Sequence, residues 1–314
     1  MKKYFTLLFA LLLAVPALSM DIDMQDQLLR EFLWEEFTLK PKEERTKVGL
    51  SLSAGGTRAF AHIGVITVLK DANTPIDMLT GTSMGSVVGS AYAAGIPVED
   101  VWAMGETMTL QNVTTDLSFT GLFRLIFGSK LPTSQKFEEF LEDKLGNKTF
   151  EDLVIPFACP AMDIKTGEKI MFTSGPVALA VRASMNLPGV FEPVEYRQRQ
   201  LVDGGVVDYL PIDAVRDLGA EYVIASLPLQ DYSGVVPKTI AAYLLRIGDI
   251  RGAILTEESL AKADFAVRTK AANIPVLEFD MLSVAGELGV REMYKNLPAL
   301  QEDLILFNMR QYEE

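Results

Sequence analysis

The pentapeptide Gly81-Thr82-Ser83-Met84-Gly85 has the spacing G-x-S-x-G. Glycines on either side of a serine let the backbone turn sharply between a strand and a helix, so that the hydroxyl projects freely and can act as a nucleophile. Ser83 is therefore the candidate nucleophile and Gly81 and Gly85 its elbow glycines; a plain turn with a helix-capping serine is the alternative. Acyl transfer also needs N–H donors for the developing oxyanion. Gly55, Gly56, Thr57 and Arg58 open a helical stretch after a short apolar run, and the Met84 amide adjoins the serine. Together these amides form a candidate oxyanion hole at positive helix ends. A phosphate cradle is the competing use of such a turn, but the Lys-Ser/Thr pair of a P-loop is missing and the dinucleotide glycine spacing is incomplete. The Arg58 side chain is expected to serve structure, fixing the turn or pairing.

The group that takes the serine proton is narrowed by scarcity, because the chain contains a single histidine, His62. A Ser-His-Asp triad would have to use it. His62 lies among Phe60, Ile63 and Val65, which suits a satisfied core histidine instead. The other candidate base is Asp203, which follows Leu201-Val202 and precedes Gly204-Gly205, where the absence of side chains lets a carboxylate face a site. A surface turn is the bland reading of that segment. An ordinary aspartate is a weak base toward a hydroxyl, so this role requires desolvation and concerted transfer.

These residues need strands and turns to hold them. Residues 48–53 read as a short buried strand, followed by the glycine turn and a helix over 59–69. The same grammar repeats in a strand over 76–80, the elbow, and a small-residue helix over 86–94. Further strands are expected at 157–164, 200–202, 222–227 and 274–279, separated mostly by helices. Such alternation predicts an α/β fold, layered α/β/α with a mostly parallel central sheet. Residues 20–46, with Leu28, Phe32 and Leu33, suggest a peripheral amphipathic helix and linker. Residues 47–227 form the catalytic unit, and 228–314 a mostly helical part on the same core.

The formal charge of −13 disfavours nucleic acid as a partner. It also makes apolar insertion a better route to a bilayer than charge attraction. One cysteine and one histidine exclude an intrachain disulfide and a Cys/His zinc site. Lys2 and Lys3, an apolar run, Pro16 and the small residues Ala17 and Ser19 read as a secretory signal peptide over 1–19. The expected product is periplasmic or secreted and begins at Met20, with an uncleaved anchor as the alternative. The segment F-T-G-L-F-R-L-I-F, from Phe119 to Phe127, is expected to be either a membrane-touching flap or a core helix.

Taken together, S-A-G-G-T-R-A-F-A-H-I-G-V-I, G-T-S-M-G and V-D-G-G resemble, in order, three blocks of the patatin-like phospholipase family. Gly175-Pro176, Ala183-Ser184 and Leu187-Pro188-Gly189-Val190-Phe191 resemble that family's approach to the Asp-Gly-Gly turn. The likeness runs from about Lys47 to Leu227 and suggests an exported bacterial member. It implies a layered α/β acyl hydrolase with a Ser83–Asp203 dyad, a purely helical role for His62, and an oxyanion hole at Gly55, Gly56 and neighbouring amides. It further implies a lipid or lysolipid ester substrate and no metal or organic cofactor. A lipid-binding protein using the same pocket without turnover is the alternative. Two positions depart from the family pattern: Ala54 and Ala59 stand where glycine is usual.

Overall fold

The computed structural model describes residues 22–108, 131–230, 236 and 240–310. The expected signal peptide and the Phe119-to-Phe127 segment lie outside them. At the centre is a sheet ordered β5-β6-β3-β2-β1-β7-β8, with β4 paired to β3. Its strands are β1 (Val48–Leu52), β2 (Met78–Gly81), β3 (Phe157–Asp163), β4 (Lys169–Phe172), β5 (Val194–Tyr196), β6 (Arg199–Asp203), β7 (Tyr222–Leu229) and β8 (Phe265–Lys270). The run from β3 to β8 is parallel, while β4, β5 and β6 pair antiparallel.

Both faces are covered, and alternation along the strands shows how. Tyr222 and Ile224 of β7 join the larger core with Val48, Leu50 and Leu52 of β1, whereas Val223 and Ala225 join a smaller core with Leu210, Ile212 and Val215. Successive side chains of a strand point to opposite faces, so one strand feeds two cores. The larger core takes apolar residues from α2 (Ala61–Asp71), α3 (Met84–Ala93), α4 (Val98–Thr107), α5 (Gln135–Leu145), α6 (Val177–Ser184) and the long α9 (Leu282–Arg310). Helix α7 (Ile212–Asp217) covers the other face, brought close by Gly49, where an added Cβ would sit 2.6 Å from Ala220 and from Val215. Helices α2 and α9 also touch backbone to backbone: a Cβ on Gly64 would lie 2.0 Å from the Gly286 carbonyl, and one on Gly289 1.9 Å from that of Ala61.

Several expected elements shift. Residues 274–279 form turns, and the strand of that region is β8; Pro275 brings no ladder N–H, and the Val276 carbonyl accepts from Thr57. Helix α1 (Ile22–Thr38) buries Trp34 and Phe37, while Leu28 and Phe32 are exposed. Trp34 Nε1 donates to the Ala72 carbonyl at the end of α2. The helix after the glycine turn starts as a 3-10 turn, Gly56–Phe60, before α2. Among the described residues, no helix is long and apolar enough to cross a membrane.

Candidate active site

Strand register puts the serine and the aspartate side by side. Thr80 of β2 pairs with Ala158 of β3, so Ser83, three residues on, comes level with Ala161, and Ala161 pairs with Asp203 of β6. Residues 120 apart in sequence thereby meet: the Ser83 hydroxyl donates to Asp203 Oδ2 at 2.7 Å. The other carboxylate oxygen, Oδ1, accepts from the Gly205 amide at 2.7 Å. That second bond fixes the carboxylate plane, and a Cβ on Gly205 would stand 3.1 Å from the same oxygen.

The elbow has the backbone its glycines predict. Ser83 caps α3 with φ 54° and ψ −125°, a positive φ that few non-glycine residues adopt. Room for the turn comes from Gly81 and Gly85. A Cβ on Gly81 would lie 2.3 Å from the Gly85 carbonyl, and one on Gly85 2.5 Å from that of Ser53. Gly204 is similarly confined, 2.3 Å from the Pro160 carbonyl. Two residues at the end of α6 brace the pair: Ser184 Oγ accepts from the Ser83 amide at 3.1 Å, and the Asn186 carbonyl from the Asp203 amide at 2.9 Å. Arg182 ties this end of α6 to Ser134, Gln135 and Glu138.

The glycine turn meets the same site. The Ala54 amide donates to the Tyr209 carbonyl, and a Cβ on Gly205 would lie 3.3 Å from that of Ala54. Gly55 and Gly56 have φ of 152° and 56°, and their amides, like that of Met84, donate to no carbonyl among the described residues. Thr57 is a correction to the expected oxyanion set: its amide donates to the Val276 carbonyl at 2.8 Å and its hydroxyl to the same oxygen at 3.0 Å. Arg58 turns its guanidinium to Asp249 on α8 (Ile240–Leu260), 2.9 Å away, while its amide lies within the 3-10 turn. Ala54 and Ala59 have no positive φ, so glycine is not required at either position.

His62 is fully buried in α2 and hydrogen-bonds to neither member of this pair. Nε2 lies 2.9 Å from the Ser53 carbonyl, which only accepts, so Nε2 carries the proton and Nδ1 accepts from the Ser226 hydroxyl at 2.8 Å. Burial lowers its pKa to about 4, against the raising effect of the Ser53 bond. Burial acts on Asp203 in the opposite direction, raising it to about 6 despite the Gly205 and Ser83 hydrogen bonds. The carboxyl thus has its proton affinity moved toward neutrality. Ser184, Tyr209 and Asp249 are not apparent as site residues in the sequence; the only signal is that Ser184 falls in a segment resembling the family.

A serine on a strained elbow facing a buried aspartate, on a mostly parallel sheet covered by helices on both faces, defines a layered α/β protein of the nucleophile-elbow class. The chain belongs to the patatin-like phospholipase family, whose sequence model matches residues 50–216. It is 36% identical over 182 residues to an uncharacterized NTE family protein of Mycobacterium bovis, a match covering 57% of this chain and 48% of that protein. It is 32% identical over 183 residues to the lysophospholipase nte1 of Aspergillus fumigatus, covering 57% of this chain and 12% of that one. The chain thus spans about half the length of the first relative and a small part of the second. Among solved structures, VipD from Legionella pneumophila has the same fold at a TM-score of 0.52 and 13% identity, covering 82% of this chain and 67% of that one.

Proposed function

We propose that the protein is a serine acyl hydrolase that cleaves carboxylic esters of phospholipids or lysophospholipids through a Ser83–Asp203 dyad. The observation that carries this reading is the 2.7 Å bond from the Ser83 hydroxyl to a buried Asp203, with the lone histidine engaged elsewhere. Asp203 accepts the hydroxyl proton as Ser83 Oγ attacks the ester carbonyl, and the carbonyl oxygen becomes an oxyanion held by the Gly55, Gly56 and Met84 amides. Collapse breaks the ester C–O bond. The leaving alcohol takes the proton from Asp203, and the acyl group stays on Ser83. Water then attacks the acyl-enzyme, giving its proton to Asp203, and Ser83 regains a proton as the fatty acid leaves. The likeness to a fungal lysophospholipase and the family match support an acyl ester of a lipid as substrate. Contact with a lipid surface and export to the periplasm or medium belong to the same proposal.

The test is product identification after incubation with phospholipids, lysophospholipids and acylglycerols, beside Ser83→Ala and a fluorophosphonate that alkylphosphonylates active serines. Free fatty acid from the parent protein alone, with the adduct mapped to Ser83, is the expected result. Unchanged lipid and an unlabelled Ser83 would reject catalysis.

A further inference from the structure

Helix α8 lies against the site on one side and leaves a stripe of apolar side chains uncovered on the other. Its inner contacts are specific. Asp249 takes the Arg58 guanidinium, Gly252 packs so close to the Tyr209 ring that a Cβ would lie 2.2 Å from it, and Leu244 reaches the 187–191 segment at Gly189. Tyr209 in turn holds the Ala54 amide, so the helix rests on residues one step from the dyad. On the outer side Tyr243, Ile247, Ile250 and Ile254 recur at helical spacing and are 51%, 57%, 42% and 57% exposed. Four large apolar side chains in one row are a patch, unlike scattered surface leucines.

We propose that this face of α8 docks on the surface of an anionic phospholipid bilayer and so places the mouth of the active site against its substrate; the proposal rests on the lipid-hydrolase reading above. Charge complementarity supplies the choice of occupant. The chain carries −13 overall, yet between residues 240 and 256 the helix has Arg246 and Arg251 against one acid, Asp249, whose carboxylate pairs with Arg58 and also feels Arg246. Glu257 and Glu258 come only at its far end. A row of isoleucines with Arg251 beside it fits the acyl–headgroup boundary, where apolar side chains insert and a guanidinium group meets lipid phosphate. Position gives a second argument. Another exposed apolar group, Leu28, Leu29 and Phe32 on α1, belongs to a helix anchored at Ala72, before the start of β2, whereas the elbow lies beyond the end of β2. A bilayer engaged there would face the wrong end of the sheet.

Flotation with phosphatidylcholine vesicles doped with phosphatidylglycerol tests this without relying on turnover. The parent protein should float, and Ile247→Ser combined with Ile254→Ser should weaken vesicle binding roughly tenfold or more, each lost insertion forfeiting apolar burial. Melting temperature and oligomeric state should be unchanged, since both side chains face outward. Arg251→Glu should weaken binding to the doped vesicles and leave binding to pure phosphatidylcholine vesicles unaltered. Undiminished flotation of the double variant, or no flotation of the parent, would overturn the proposal. A parent that is dimeric and becomes monomeric in the double variant would also overturn it, assigning the face to a second copy. Flotation that depends on α8 in a protein that hydrolyses no lipid would instead refute the hydrolase reading and leave the docking surface standing.

Discussion

Burial of the Asp203 carboxyl controls two observables that respond to pH in opposite ways. The proposed base must be ionised to accept a proton, so turnover of a soluble ester should fall about tenfold per unit as pH drops below about 6, the value to which burial raises this group. A rate constant level down to pH 4.5 would remove Asp203 from that role. Stability runs the other way. An acid whose pKa is higher in the folded chain binds more protons there than when unfolded, so its favourable contribution is complete below about 4 and is lost as pH rises to about 6. By that linkage ionised Asp203 costs roughly 3 kcal/mol at neutral pH. Asp203→Asn keeps an acceptor for Gly205 and a partner for Ser83, so it should be inactive yet more stable than the parent in urea at pH 8, with the difference vanishing near pH 4. His62 shows the converse dependence. Its pKa is lowered to about 4, so its neutral form contributes stability above about 6.5 that is lost as pH falls toward 4, again roughly 3 kcal/mol. His62→Ala gives up the bonds to Ser53 and Ser226 and leaves a buried void, so it should unfold more easily at pH 7 while its folded fraction still turns over. An inactive, folded His62→Ala protein beside an active Asp203→Asn protein would restore the triad.

Glycines in different elements should respond oppositely to the same methyl group. A Cβ on Gly85 would stand 2.5 Å from the Ser53 carbonyl and 2.7 Å from that of Leu52, and neither backbone can yield without separating α3 from β1. Gly85→Ala should cost about 2–4 kcal/mol and most of the activity. Gly248 on α8 has nothing within 4 Å of such a Cβ, so Gly248→Ala should gain about 0.5–1 kcal/mol through helix propensity. Calorimetric melting of the two variants would show both signs, and a stable Gly85→Ala protein would refute the packing account of the elbow. The elbow and the Asp-Gly-Gly turn are legible in the sequence because local glycine spacing encodes them. The 274–279 turns read as a strand because I-P-V-L-E-F is apolar at every position but Glu278, and what decides otherwise is a carbonyl committed to Thr57 far away in sequence. Ser184, Tyr209 and Asp249 are illegible for the same reason: each meets the site through contacts distant in sequence that leave no periodic trace. Strands β4 and β5 are hidden because they are only four and three residues long, too short to show a period of two.

The molecule as a whole is a sheet with its chemistry at one end and α1 at the other. Arg45, just after α1, pairs with Asp77, which also accepts from the Val48 amide, so the N-terminal helix is tied to the starts of β1 and β2. Cleavage before Met20 would leave that attachment whole. By the proposed export, N-terminal sequencing of the mature protein should read Met20 first; retention of Met1 on membrane-bound protein would mean an anchor instead. Legibility at this scale is good for the alternation of strands and helices, which is enough to define a layered α/β protein. It is poor for which helix covers which face, since that follows from Gly49, Gly64, Gly286 and Gly289 allowing close approach rather than from any pattern of apolar residues.

The single histidine and the single cysteine have a consequence for chemical labelling. His62, on α2, has both ring nitrogens engaged, and Cys159, on β3, is wholly buried with its thiol pKa pushed up by that burial. Neither can react with a carbethoxylating or alkylating reagent while the chain is folded, so esterase turnover should survive histidine-directed reagents that silence triad hydrolases. Each residue instead becomes a single-copy clock for opening. Pulse labelling across a urea series should modify His62 and Cys159 at the same midpoint if one core spans both elements, and mass spectrometry of the two peptides reads both clocks from one sample. Separate midpoints would show that the β3 side of the sheet opens independently of α2.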